Sequence, residues 1–408
     1  MTVTYRARVL SPLSCDEVRW IDDAVVIIDD EGRLQEVAPW RGGACDADLR
    51  PHLLVPGFVD GHVHFPQTRA VGSASGPLLT WLNESIFPEE ARFADGGHAQ
   101  QVAVEFCQAL ASSGTTYALI YGSVHASASE ILLNTMDAAG LRGLVGPVWM
   151  DRDCPEALSV PVERTVEDLE GLAERWHGHD AGRLGVAVIP RFALSCSDAM
   201  LRAASDVADR LKLKLTTHLA ETPAECQAVY DRFGSRYLEV YEDHGLLQPG
   251  AVFAHCIHLD DDDWGRFKDA GAVVAHCPDS NYFLGSGNMP IGTVLAQEVP
   301  WALGTDVAAG RSFRVPRTLS FAYDNARQCA VDMSPRALFW QGTRGGALAL
   351  GEARFGALEA GLDADMSLWR VPPWAESVDQ LLGSLLFDHD APPALATWVR
   401  GQPVWSTL

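Results

Sequence analysis

Two histidines one residue apart stand at the end of an apolar segment, which reads Leu53-Leu-Val-Pro-Gly-Phe-Val-Asp-Gly-His-Val-His64. Because alternate residues of a β-strand face the same side, this spacing places the imidazoles of His62 and His64 together. Neutral imidazoles are common ligands of Zn²⁺ and related metals. The pair therefore indicates one half of a metal site.

Further side chains suited to metal binding or proton transfer end other apolar segments: His218, Glu221, His255 and Asp306. Three imidazoles and a carboxylate suit Zn²⁺ and leave one position open for water. We expect a metal site built from the set His62, His64, His218, His255 and Asp306. The chain's other histidines are expected to be core or surface residues, including His258 and His276, for which we expect structural roles.

The elements that must position these residues alternate between short apolar strands and amphipathic helices, a pattern typical of parallel β/α units. Strands are predicted near residues 54–59, 116–121, 143–150, 186–193, 213–218, 251–255, 272–276 and 301–306. Helices are predicted near residues 99–112, 162–175, 198–212, 259–270, 312–330 and 335–348. This order predicts an α/β fold, a (β/α)₈ barrel with its active site at the carboxyl ends of the strands.

The two ends of the chain differ from the middle and consist of turns and short strands. The segment Ala24-Val-Val-Ile-Ile-Asp-Asp-Glu-Gly-Arg-Leu34 has a hairpin pattern. A similar pattern of turns and short strands occurs after about residue 355. We expect residues 1–54 and 355–408 to form a small β-sandwich domain beside a barrel of residues 55–354.

Composition narrows the class of protein. A formal net charge of −23 repels phosphate backbones and anionic lipid, so neither nucleic acid nor membrane is expected as a partner. No apolar run approaches the roughly 18 residues of a membrane span, and residues 1–8 lack the pattern of a secretory signal. The nine cysteines include no CxxC pair. A cytoplasmic protein is expected.

Two of these segments resemble the amidohydrolases. Pro56-Gly-Phe-Val-Asp-Gly-His-Val-His64 is similar to the opening metal motif of that family, and Leu303-Gly-Thr-Asp306 is similar to its motif at strand eight. Members with two metals bridge them with a carbamylated lysine at the end of strand four, where this chain has Ile189-Pro-Arg-Phe192. The resemblance therefore implies one zinc ion per chain.

A narrower resemblance, to the guanine deaminase branch of the family, runs from about residue 54 to 325. It rests on Phe65-Pro-Gln67, Leu79-Thr-Trp-Leu82, Phe87-Pro-Glu-Glu-Ala-Arg-Phe93, Pro190-Arg-Phe192, Val252-Phe-Ala-His-Cys-Ile-His-Leu259 and Phe283-Leu-Gly-Ser-Gly287. It implies that a purine base is the small-molecule partner and that the protein is a homodimer.

Roles for individual residues follow from this resemblance. His62, His64, His218 and Asp306 would hold zinc, which lowers the pKa of bound water to about 7. Glu221 would protonate N3 of guanine, Asp306 would relay the proton of water to the leaving ammonia, and His255 would hydrogen-bond to the attacking oxygen. The residues implied to contact the purine are Gln67, Arg191, Phe192 and Trp81. For Trp81 a packing role is an equal alternative.

Two other interpretations stay open. One is a deaminase of another aminated heterocycle on the same barrel, such as 8-oxoguanine, a pterin, a triazine or an adenosine-type nucleoside. The other is a non-catalytic relative that serves as a scaffold, although such proteins typically lose metal ligands and here every expected ligand is present. The motifs HExxH, PCxxC, GxGxxG and GxSxG do not occur.

Overall fold

A computed structural model describes residues 2–73 and 76–408, and its central feature is a barrel of eight parallel strands. In chain order the barrel strands are Phe58–His64, Thr115–Tyr121, Arg142–Gly146, Leu184–Pro190, Lys214–Leu219, Val252–His255, Val273–His276 and Trp301–Leu303. The backbone amide of Asp306 donates to the carbonyl of His62 at 2.8 Å, which joins the eighth strand to the first. The predicted (β/α)₈ fold is confirmed.

Helices surround the barrel and connect its strands. The longer ones are Gly96–Ser112, Ala126–Ala139, Val162–Trp176, Asp198–Leu211, Pro223–Phe233, Asp261–Asp269, Val315–Gln328 and Val378–Phe387. Shorter ones are Leu78–Trp81, Phe87–Ala91, Tyr237–Asp243, Pro278–Phe283, Ile291–Ala296, Pro335–Trp340 and Gly346–Ala349. Capping side chains define where several of these helices begin. The side chain of Ser197, for example, accepts a hydrogen bond from the backbone amide of Met200.

The two ends of the chain pair with each other in one seven-stranded mixed sheet. In sheet order its strands are Gln402–Ser406, Ala396–Val399, Met366–Trp369, Ala47–Pro56, Val3–Pro12, Val18–Ile28 and Leu34–Pro39. Apolar side chains of this sheet, among them Val26, Leu54 and Met366, form a core separate from that of the barrel. The expected association of the two terminal segments is therefore confirmed.

The first barrel strand begins later than the predicted residues 54–59. Leu54 and Val55 pair with Leu368 and Ser367 in the terminal sheet, and the barrel strand begins at Phe58. The break falls at Pro56-Gly57, where Pro56 has no amide hydrogen and a Cβ on Gly57 would come within 2.0 Å of Thr116 Oγ1. The apolar run is continuous across this break, so the pattern of side chains alone did not reveal it.

A buried ion pair joins the terminal segment to the barrel. Arg142, in the third barrel strand, contacts Asp363 at 2.6 Å and Asp365 at 3.1 Å, and all three side chains are almost fully buried. The exact division at residues 54/55 and 354/355 stays a prediction. Across the described ranges 2–73 and 76–408, no helix combines the length and the apolar character needed to cross a membrane.

Candidate active site

Four side chains of the types expected for a metal site meet at the carboxyl ends of the barrel strands. The ligand atoms of His62, His64, His218 and Asp306 all lie within 4.8 Å of one another. Asp306 Oδ1 is 3.2 Å from Nε2 of both His62 and His64. His64 Nε2 is also 3.3 Å from His218 Nε2. The tertiary structure thus brings together the three imidazoles and the carboxylate that the sequence singled out.

The charge states of these groups suit a cation. Burial lowers the pKa of His64 to about 4 and lowers the pKa of His218 well below its usual range, so both rings are neutral and carry free lone pairs. Burial alone would raise the pKa of Asp306, but its contacts with His62 and His64 hold that pKa well below the usual value. Three nitrogen lone pairs and one carboxylate converge here, a donor set that fits Zn²⁺.

Neighbouring groups fix the orientation of the ligands. The Nδ1 of His218 lies 2.7 Å from the carbonyl oxygen of Arg191, so Nδ1 donates and Nε2 is left free for a metal. Asp60 accepts from the amides of His62 at 3.2 Å and Thr305 at 2.9 Å. Since Asp306 follows Thr305 directly, Asp60 ties the histidine pair to the carboxylate.

A second group of potential ligands overlaps the first and consists of His62, His255, Cys277 and Asp306. The Cys277 thiol lies 3.5 Å from the backbone carbonyl of Ala275, to which it donates. The imidazole of His255 instead faces carboxylates, with Nε2 3.5 Å from Glu221 Oε2 and 3.8 Å from Asp306 Oδ2. These observations favour the first group as the metal site.

Glu221 has the electrostatic character of an acid. Burial and the charge of Asp306 raise its pKa to about 8, against the smaller opposing effect of a 2.9 Å hydrogen bond from Ser286 Oγ. The carboxyl group therefore holds a proton at neutral pH. A proton donor buried beside the cluster of histidines and Asp306 is suited to general acid catalysis.

Strained backbone occurs around these groups. Four residues at the strand ends have positive φ although none of them is glycine: Ala220, His255, Cys256 and Asp306, with φ between 49° and 72°. Such conformations cost about 1–3 kcal/mol each and cluster at functional sites.

A cavity lies at the cluster. Nine of the ten site residues expected from the sequence line it: His64, Gln67, Trp81, Arg191, Phe192, His218, Glu221, His255 and Asp306. The tenth, His62, is completely buried beneath them. Leu78, Leu82 and Leu284 complete an apolar wall. Of the histidines expected to be structural, His258 contacts the carbonyl of Ser286 at 2.9 Å and His276 is buried outside the metal group.

Two buried acids at this site were missed by the sequence reasoning. Glu90 contacts both Gln67 and Arg191. Glu225 lines the cavity, accepts from the amide of Glu221 at 3.0 Å and has a pKa raised by burial to about 7. The capping pattern Thr222-Pro-Ala-Glu225 offered a signal for Glu225. Phe87-Pro-Glu-Glu90 offered none that distinguishes Glu90 from Glu89.

Comparison with known proteins agrees with this architecture. The model of the amidohydrolase family matches residues 53–404. The chain therefore belongs to the amidohydrolase family.

Individual relatives indicate a narrower group within that family. The guanine deaminase of Escherichia coli (strain K12) is 34% identical over 89% of this chain and 84% of the relative. A probable guanine deaminase of Deinococcus radiodurans is 35% identical over 96% of this chain and 94% of the relative. The solved structure of the E. coli guanine deaminase superimposes with a TM-score of 0.93, at 30% identity and full coverage of both chains.

Proposed function

We propose that this protein is a zinc-dependent guanine deaminase, which hydrolyses guanine to xanthine and ammonia. The observation that carries the proposal is the cavity that Glu221, buried with a pKa raised to about 8, lines together with His64, His218 and Asp306. The similarity to guanine deaminases over most of the chain supports the choice of substrate.

The proposed metal ligands are His62, His64, His218 and Asp306, with about one zinc ion per chain, since no lysine lies at the fourth strand end to bridge a second metal. Zinc supplies the Lewis acidity that activates water at neutral pH.

The chain's own residues move the protons in the proposed reaction. Glu221 delivers its proton to N3 of the ring, which makes C2 more electrophilic. Asp306, which is ionised, accepts a proton from the attacking water and passes it to the amine on C2. The C2–N bond then breaks and ammonia leaves. The second proton of the former water returns to Glu221, so that C2 becomes a carbonyl and both acids regain their starting states. His255 hydrogen-bonds to the attacking oxygen through Nε2, while its Nδ1 is held at 2.9 Å from Asn281 Oδ1.

The proposed substrate contacts line the same cavity as the proposed metal ligands. Gln67 offers an amide to the purine edge, and Arg191 offers donors to the O6 carbonyl. Phe192 and Trp81 line the cavity and offer aromatic surface for stacking. Trp81 is anchored by its Nε1, which donates to the carbonyl of Ser73 at 2.5 Å. These residues together suit a flat, neutral heterocycle.

The experiment that tests the function is an assay of ammonia release with guanine, 8-oxoguanine, a pterin, a triazine and adenosine. We expect guanine to have the highest kcat/KM. A higher value for any other member of the panel would assign the enzyme to that substrate, and no release with any member would favour the scaffold interpretation.

We also propose that the protein acts on the free base in the cytoplasm as a homodimer, a state that rests on the family resemblance. Light scattering at micromolar concentration should give twice the mass of the 44.2 kDa chain. The mass of a single chain would refute the dimer.

A further inference from the structure

The carboxylate of Glu90 lies between two of the proposed substrate contacts. Its Oε1 accepts from Gln67 Nε2 at 3.1 Å, and its Oε2 accepts from Arg191 Nη1 at 2.5 Å. Glu90 is 1% exposed, and Gln67 and Arg191 are each 3% exposed. One buried acid therefore holds two residues that are far apart in the chain.

These contacts fix which atoms Gln67 shows to the cavity. Its Oε1 accepts from the backbone amide of Ala308 at 3.1 Å, while its Nε2 donates to Glu90. Because a carboxylate only accepts and a backbone amide only donates, the side-chain amide has a single orientation that satisfies both. One N–H of Nε2 and one lone pair of Oε1 remain for a ligand.

The same acid is the counter-ion of Arg191 and holds its guanidinium in place. The guanidinium carbon lies 5.2 Å from the centre of the Phe87 ring, so the segment Phe87–Ala91 supplies both a stacking face and a counter-ion. The positive charge of Arg191 is balanced inside the protein, and the donors of the guanidinium that are not directed at Glu90 remain for a ligand. A neutral ligand with a carbonyl oxygen suits this arrangement better than an anion, whose charge Glu90 would repel.

We propose that Glu90 is the positioning residue that determines specificity in this site. By holding Gln67 and Arg191 in fixed orientations, it makes the cavity select a neutral heterocycle with a carbonyl oxygen over one with an amino group at the same place. Glu90 acts through these two side chains and not by contact with the reacting atoms. The inference rests on the proposed deamination of guanine.

The decisive variant is Glu90→Gln. A glutamine has one acceptor oxygen where Glu90 has two, so either Gln67 or Arg191 must face an N–H group and lose its hydrogen bond. We expect kcat/KM for guanine to fall by about 10-fold or more, chiefly through a higher KM. The ratio of kcat/KM for guanine to that for 2,6-diaminopurine should also fall by about 10-fold. Glu90→Asp, which keeps both acceptors, should restore part of that ratio.

Glu89→Gln is the matched control, because Glu89 lies on the same short helix but pairs with Arg92 and His98 instead. It should leave the substrate ratio unchanged. The double variant Glu90→Gln/Arg191→Met should have a substrate ratio close to that of Glu90→Gln alone, since coupled residues are not additive. An unchanged ratio in Glu90→Gln, or an equal loss in Glu89→Gln, would overturn the inference while leaving guanine deamination intact.

Crystal structures of the wild-type protein and Glu90→Gln give a reading that does not depend on activity. We expect the guanidinium of Arg191 or the amide of Gln67 to leave its wild-type position in the variant. If both stay in place, Glu90 is not the positioning residue. If the wild type releases no ammonia from guanine, the proposed function fails, and the structures still decide the role of Glu90.

Discussion

The carbonyl oxygen of Arg191 lies 2.7 Å from Nδ1 of His218, while the guanidinium of the same residue lines the cavity. One residue at the end of the fourth barrel strand thus orients a proposed metal ligand through its backbone and lines the proposed substrate cavity. Because the carbonyl is present whatever the side chain, substitutions at position 191 should change substrate preference without removing the metal.

The first prediction concerns the metal. Protein purified without chelators should carry about one zinc ion per chain, because the atoms of the four proposed ligands all lie within 4.8 Å of one another. His218→Ala should lose most of the bound zinc, whereas His52→Ala, in the terminal sheet, should keep it. Metal analysis by mass spectrometry checks both. Two zinc ions per chain in the wild type would contradict the missing bridging lysine.

The second prediction concerns Glu221. Glu221→Gln should retain zinc and the melting temperature while kcat falls by about 10² or more, the usual contribution of a general acid. Ser286→Ala, which removes only the hydrogen bond to Glu221 Oε1, should have a much smaller effect. Steady-state kinetics with guanine provide the measurement. Near-normal turnover in Glu221→Gln would remove this residue from the mechanism.

The third prediction concerns pH. Burial raises the pKa of Glu221 to about 8, and the reaction needs the protonated form, so activity should be present below that pH and lost as pH rises through it. Because the hydrogen bond from Ser286 lowers this pKa, Ser286→Ala should move the decline to higher pH. Profiles of kcat/KM against pH test both points. A wild-type profile that is flat through the alkaline range would show that the Glu221 proton is not needed.

The fourth prediction concerns Arg191. Arg191→Met alone leaves the buried charge of Glu90 unpaired, which should lower the free energy of unfolding by roughly 3–5 kcal/mol. An effect on substrate binding could then not be separated from an effect on stability. The double variant Glu90→Gln/Arg191→Met removes both charges. It should stay folded, lose guanine activity strongly and reduce the discrimination between guanine and 2,6-diaminopurine, which we expect to be roughly 10² in the wild type. Equal wild-type rates on the two purines would show that Arg191 does not recognise O6.

The fifth prediction concerns the ion pair between the barrel and the terminal sheet. Arg142→Met should destabilise the protein by roughly 3–5 kcal/mol, because it removes the nearest cation from the buried carboxylates of Asp363 and Asp365. Arg400, 3.7 Å from Asp363, offsets only part of this loss. Arg142 is the first residue of its strand, whereas the candidate active site lies at the carboxyl ends of the strands. We therefore expect kcat/KM at 25 °C to change little. Thermal unfolding and kinetics on the same sample check this. An unchanged melting temperature would mean that the pair is energetically neutral.

The sequence by itself determined the barrel and the set of chemical groups at its mouth. Strand alternation put His62 and His64 on one face, and the rule that active sites lie at the carboxyl ends of parallel strands brought in His218, Glu221 and Asp306. These conclusions depend on local periodicity and on a general property of the fold. Both can be read along the chain without knowledge of particular contacts.

Only the tertiary structure decided matters that depend on distant partners. The strand break at Pro56-Gly57 follows from the approach of Thr116 and from pairing with Leu368 and Ser367, none of which is a local feature. Likewise, Glu89 and Glu90 are adjacent and chemically identical. The path of the chain buries Glu90 between Gln67 and Arg191 and turns Glu89 toward Arg92 and His98, a difference set by three-dimensional packing that residue type cannot encode.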